Sequence, residues 1–176
     1  MKGDPNLLNY EQFKGQFESD EFSLVLVDAP AMWDKPFIDA IRQTVAAFEQ
    51  LEHVNRVVSI TNVRNIESSG DEIVIKDFFE GVTSARDIAD KQQKAVMHPH
   101  YSGFYVSKNG RHVAIVVETE IIKGQMDYKV GLTDNLRRIV REGSLAAYNP
   151  RVVGAPVLDA DVRTIVEKES GVFSAL

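Results

Sequence analysis

Residues 23–62 constrain the chain most, because they read as a strand, a helix and a second strand with almost nothing between them. Residues 23–29 form a short apolar run rich in Val and Leu, the length of a buried strand. Asp34 offers a side-chain oxygen for a helix start, and Pro36 stands where a missing N–H costs nothing. Phe37, Ile41, Val45, Phe48 and Leu51 follow at helical spacing on one face, while Arg42, Gln43, Glu49 and Gln50 take the other. Residues 54–60 are a second β-branched run. A helix bridging two strands predicts parallel neighbours joined by a right-handed crossover.

The remaining elements follow from the same patterns. Residues 6–17 carry Leu7, Leu8, Tyr10, Phe13 and Phe17 at roughly helical spacing. Residues 68–71 have turn chemistry, and 73–75 are a brief apolar run. Residues 84–96 read as a surface helix with a modest stripe of Ile88, Ala89, Ala95 and Val96, stopped near Pro99. Asn109-Gly110 lies between two β-rich runs, 103–107 and 112–120, which is a hairpin signal. The run from Val113 to Val117 is apolar on both faces, which suits a central strand. After a loop at 123–127, Leu132, Leu136, Ile139 and Val140 mark a helix capped by Thr133 or Asp134. Residues 151–156 predict a last strand, and Asp159 opens a final helix carrying Val162, Ile165 and Val166.

The order is strand, helix, strand, then strand, helix, strand. It predicts an α+β fold of ferredoxin-like βαβ-βαβ type: a four-stranded, mainly antiparallel sheet with helices on one face. Residues 63–108 would be an insertion between the halves, with its own helix and hairpin strand. At 176 residues the chain suits one domain, 1–176.

Composition removes several function classes. A net charge of −6 disfavours a nucleic-acid surface, which needs clustered Lys and Arg. The densest cluster, Arg137, Arg138 and Arg141, fits a solvated helix face. The absence of cysteine excludes disulfides, thiolate metal sites and a cysteine nucleophile. No G-x-S-x-G, G-x-G-x-x-G or G-x-x-x-x-G-K pattern occurs, so neither an enzyme nor a bound cofactor is expected. His98 and His100 could face one way on an extended segment, yet two imidazoles without further ligands make no metal site. The acid-rich stretches at 67–72 and 167–169 read as solvated surface. Trp33 beside Met32, and the adjacent Phe78 and Phe79, fit core covers first and cleft-lining aromatics second.

Several stretches, in order, resemble an extracytoplasmic loop of resistance-nodulation-division (RND) exporters, in the predicted-exporter branch near the MmpL and hopanoid-transporter lineages. DPNLLNYEQFKGQF resembles its entrance. The helix and following strand resemble its V-x-x-V-x-S-x-T-N segment, here Val54, Val57, Ser59, Thr61 and Asn62. His98-Pro99-His100-Tyr101-Ser102-Gly103 and VSKNGRHVAIVVE resemble its D-P-x-Y-x-G and V-S-x-D-G-R-x-x-A-I-x-V run, with His98 and Asn109 replacing two Asp residues. VVGAPVLDADVRTIVEKES resembles its exit.

The resemblance implies a porter-type domain on the periplasmic side of a bacterial inner membrane, the first or second large loop of its parent, with the DPN…Y entrance favouring the first. Residues 158–176 would lead into a transmembrane helix. The partners implied are the transporter's membrane helices and second porter domain, a lipid-like or amphiphilic substrate, and further copies through the parent. The surface residues assigned to ligand are Met32, Trp33, Phe78, Phe79 and Tyr101. The competing expectation is a stand-alone ferredoxin-like module that binds a small ligand or assembles through its sheet edge.

Overall fold

The structure, a computed structural model, describes residues 21–69, 72–122 and 127–173. The helix expected at 6–17 and most of the loop at 123–127 lie outside them. Four strands form the main sheet: β1 (Phe22–Asp28), β2 (Val54–Ser59), β5 (His112–Thr119) and β6 (Arg151–Gly154). A separate hairpin pairs β3 (Arg64–Ser69) with β4 (Glu72–Asp77). The helices are α1 (Lys35–Phe48), α2 (Ala85–Met97), α3 (Asp127–Glu142) and α4 (Ala155–Phe173), with a 3-10 turn at Ser144–Tyr148.

The sheet order is β2-β5-β1-β6 and every pairing is antiparallel. This is an α+β architecture consistent with a ferredoxin-like fold. One expectation is corrected. β1 and β2 run parallel, but they are not neighbours, because β5 lies between them. The βαβ unit is split, and a strand roughly 90 residues downstream fills the gap. β5 can sit there because both of its faces are apolar: Val113 through Val117 are all buried.

The register builds one continuous core face. Val57, Val117, Ser23 and Gly154 lie in one row across the strands, and Ser59, Ile115, Val25 and Val152 in the next. α1 packs on β2, β5 and α3, and α4 on β1, β6 and α3. Asp34 caps α1 as expected, accepting from the Phe37 N–H at 2.9 Å. Phe37, Ile41, Val45 and Phe48 are all buried, so truncating any one of these to Ala would cost about 2–5 kcal/mol.

Other boundaries shift for identifiable reasons. α3 already begins by Asp127, so Thr133 and Asp134 are interior and cap nothing. The first turn was missed because its buried residue is Lys129, a charge that breaks the apolar period. α4 starts at Ala155, and Pro156 takes a first-turn position that needs no N–H donor. Residues 103–107 form turns rather than a regular strand, touching β5 through a single bridge, Val106 to Val113. Phe78 and Phe79 also lie in a turn, which frees both rings to point inward.

β2 is an outer strand, and its free edge is closed by a side chain. The Asn62 amide donates to the Val57 carbonyl at 2.8 Å and accepts from the Ser59 N–H at 2.7 Å, as a neighbouring strand's peptide would. Ser59 Oγ and Thr61 Oγ1, 2.7 Å apart, brace the turn, and the Val63 N–H takes the Ser59 carbonyl. The S-x-T-N motif is therefore an edge plug, and it blocks strand addition on this side.

Candidate functional site

Four of the five residues assigned to ligand belong to one chain of touching rings. Trp33 lies with its centroid 6.0 Å from Phe37 and 6.1 Å from Phe79. Phe79 meets Phe78 edge-on at 5.5 Å, and Phe78 meets Tyr101 in the same way at 5.0 Å. Tyr101 stacks face to face on His98 at 3.8 Å. The inner end of this chain is core: Trp33 is 3% exposed, and its indole N–H makes a long bond to the Gly110 carbonyl. Met32 does not join. It is 73% exposed and is not among the residues lining the groove described below.

Backbone anchors hold the outer rings in place. Tyr101 Oη lies 3.2 Å from both the Arg64 carbonyl and Asn65 Oδ1 and shares its one proton between them, tying the 98–106 turns to the foot of the β3–β4 hairpin. The Phe78 N–H donates to the Val63 carbonyl, and Arg42 reaches the Phe79 carbonyl at 2.9 Å. α2 is fastened by Gln92, whose amide accepts from the Trp33 N–H at 2.9 Å and donates to the Ala31 carbonyl at 3.0 Å. At Gly110, φ is +70° and a Cβ would lie 3.2 Å from Val96, so glycine lets the Asn-Gly turn pass under α2.

The outer end of the ring chain opens into a groove of about 480 Å³ between α2 and the hairpin foot. Phe78 forms its back wall, and Met97 and Pro99 its apolar end. Asp90, Lys91 and Lys94 stand on the rim, and Asn65 and His98 close the sides. The Lys91 ammonium lies 4.4 Å above the Phe78 ring, which is 3% exposed. Burial and the neighbouring His100 charge hold the His98 imidazole below its ordinary pKa, which favours the neutral ring. His98 and His100 sit in a turn with ring centroids 5.7 Å apart, and His98 Nδ1 accepts from the His100 N–H. Among the described residues no group of three His, Asp or Glu side chains is placed to hold a metal.

A larger recess, about 760 Å³, runs beside β2 between α1 and the hairpin. It is lined by Arg42, Arg56 and Arg64, but its charge is largely spoken for. Arg56 pairs with Glu118 at 2.9 Å, and Arg42 is held by the Phe79 carbonyl. The smaller groove has the more coherent chemistry, an aromatic wall with cations at its mouth.

Lys91, Lys94 and Met97 escaped the sequence reading because α2 has only a weak apolar stripe, and that stripe faces the core. The available signal was the spacing 90, 91, 94, 97, which places these side chains on a second face of the same helix. No protein-family model, curated protein or solved structure matches the chain.

Proposed function

We propose that the chain is a porter-type extracytoplasmic domain of an RND-type exporter, forming part of the path for a hydrophobic or amphiphilic substrate. The observation that carries this reading is the split βαβ sheet with a hairpin and helix inserted between its halves. Strand periodicity predicts a ferredoxin-like α+β sheet with an insertion between its halves, and the resemblance implies a porter domain of that type. In this reading the proton gradient acts on membrane helices elsewhere in the parent. The domain's part is mechanical: it presents a surface whose affinity for substrate differs between an access and a release state.

Two further features support the reading. The groove lies within the insertion, between α2 and the foot of the β3–β4 hairpin, where movement of one against the other would change its width. The stripe Leu158, Val162, Ile165 and Val166 on α4 is exposed, as it would be if another part of the transporter covered it. No helix among the described residues is long and apolar enough to cross a membrane. In this reading the spans come from the rest of the parent.

Reading the parent gene on both sides of residues 1–176 tests this directly. Stretches of ~20 predominantly apolar residues should flank the segment closely, and the whole product should fractionate with the inner membrane. A parent with no such stretch would overturn the proposal.

A further inference from the structure

We propose that residues 6–17 dock on α4 as an antiparallel helix, laying Phe17, Phe13 and Tyr10 along the exposed stripe of Leu158, Val162 and Ile165. The exporter reading leaves the cover of this stripe to another part of the transporter. The proposal names that part within the chain itself, and it stands whether or not the parent crosses a membrane.

α4 is apolar on two nearly opposite faces. It packs against β1, β6 and α3, and on that side Val157 and Ala160 are buried. Leu158, Val162, Ile165 and Val166, on the other side, are each more than half exposed. A helix with one buried face normally carries polar side chains on the opposite one. The charges flanking the stripe are already paired, Asp159 with Lys129 and Arg163 with both Asp127 and Glu167, so none of them is drawn across it. Leu158, Val162 and Val166 line a depression of about 460 Å³, and among the described residues only α4 contributes to it. One convex helix supplies half of a groove, and the missing half has to be apolar.

The course of the chain says what that half is. Residues 1–20 join the described structure at Glu21, which is fixed beside the first turns of α4. The Lys129 ammonium holds the Glu21 carboxylate at 2.9 Å and Asp159 at 2.6 Å, and the Thr119 N–H and hydroxyl donate to the Glu21 carbonyl at 2.9 and 3.0 Å. Asp159 follows Leu158 and borders the same depression. Phe17 is four residues before Glu21, so its Cα lies within about 14 Å of that anchor. A helix that ends at the start of α4 and lies along it runs antiparallel, and the apolar steps then match. Positions 158, 162 and 165 advance by four and three, and positions 17, 13 and 10 retreat by four and three. Residues at such steps share one helical face, and two such rows interdigitate. Leu7 continues the segment's row by one turn, while Gln12 and Gln16 fall on its far side.

The chain has no cysteine, so introduced pairs report proximity without interference. In the full 1–176 chain, Phe17→Cys/Leu158→Cys, Phe13→Cys/Val162→Cys and Tyr10→Cys/Ile165→Cys should each close an intramolecular disulfide under mild oxidation, because facing residues of packed helices come within disulfide range. Gln12→Cys/Val162→Cys, with one thiol on the far side, should close at least tenfold more slowly. Hydrogen exchange on the unaltered chain gives a measurement free of those variants. The amides of residues 10–17 should exchange at least tenfold more slowly than in a free peptide of the same sequence. Val162→Asp should erase that protection, and Met32→Asp, at an exposed apolar residue in the loop before α1, should leave it.

Three pairs that close no faster than the Gln12 control, amides that exchange like the free peptide, or protection that survives Val162→Asp would overturn the inference. Disulfides between two chains would overturn it as well, giving the stripe to a second copy. Flanking membrane spans around an unprotected segment defeat this inference alone. Closed pairs in a chain whose parent has no membrane spans defeat the exporter reading alone.

Discussion

At Gly154 a single hydrogen atom in place of a methyl group decides whether β6 can join the sheet. Its φ is +138°, and a Cβ there would lie 2.5 Å from the Phe22 carbonyl oxygen and 2.8 Å from the Ser23 Cα. Neither neighbour can yield, because both are backbone of the adjacent strand. Gly154→Ala should therefore lower stability by about 2–4 kcal/mol, combining backbone strain with overpacking. Gly131, inside α3, meets nothing within 4 Å, so Gly131→Ala should stabilise by about 0.5–1 kcal/mol. Urea unfolding of the two variants should move the midpoint in opposite directions. His98 supplies the pH prediction. Burial first, and His100 second, keep its folded pKa below 6.5, so protonation favours the unfolded chain. Its contribution to stability is complete above that value and is lost as the pH falls through the lower folded one. Between pH 7 and pH 5 the wild-type midpoint should drop more steeply than that of His98→Gln. Parallel slopes would show that His98 is not what the folded state shields.

Side-chain amides stand in for backbone at two places, and each governs an element. Asn62 closes the edge of β2, and Gln92 fastens α2 to the loop before α1. Asn62→Asp keeps the shape but sets a carboxylate against the Val57 carbonyl. It should cost about 1–3 kcal/mol and leave the strand edge able to pair with another chain, seen as concentration-dependent association in light scattering. These amides also show how far the sequence was legible. The four strands of the main sheet and α1 could be read because their apolar period is strong, and the cap at Asp34 is local chemistry; β3 could not, since Arg64–Ser69 holds one apolar residue. The neighbour of β1 could not be read from residues 23–62, because nothing in a βαβ unit says whether a later strand will slip between its strands. The start of α3 was hidden by Lys129, whose burial depends on carboxylates 108 and 30 residues away. In the candidate site the aromatic wall was legible as residue types, since Phe78, Phe79 and Tyr101 stand out. The rim was not, because Lys91 and Lys94 look like solvated charge until the hairpin foot is brought opposite them.

Lys129 joins three parts of the molecule. Its ammonium lies 2.9 Å from the Glu21 carboxylate ahead of β1 and 2.6 Å from Asp159 on α4, with its side chain 8% exposed. Burial pushes its pKa down, but the hydrogen bonds to Asp159 and Glu21 outweigh this and leave it raised. The group's contribution to stability is therefore present throughout the neutral range and lost only as the pH rises above its ordinary value of 10.5. Lys129→Met leaves two carboxylates facing each other and should cost about 2 kcal/mol, the penalty for an orphaned buried charge reduced for the partial exposure of Asp159. Faster amide hydrogen exchange in the first turns of α4 should accompany the loss. Unchanged exchange there would mean that the other α3–α4 pairs, Arg137 bidentate on Asp161 at 2.7 and 2.8 Å and Arg163 with Asp127, hold α4 without it. The position of β1 also governs when the domain can form. Its two partners, β5 and β6, start at His112 and Arg151, so a ribosome making ~5–20 residues per second must run for several seconds after β1 emerges before either exists. Until then Val25 and Val27 have no strand beside them, and refolding from denaturant should be slow for a chain of this size, on the order of milliseconds to seconds. A domain wired this way stays an unpaired thread until its last third has been synthesised.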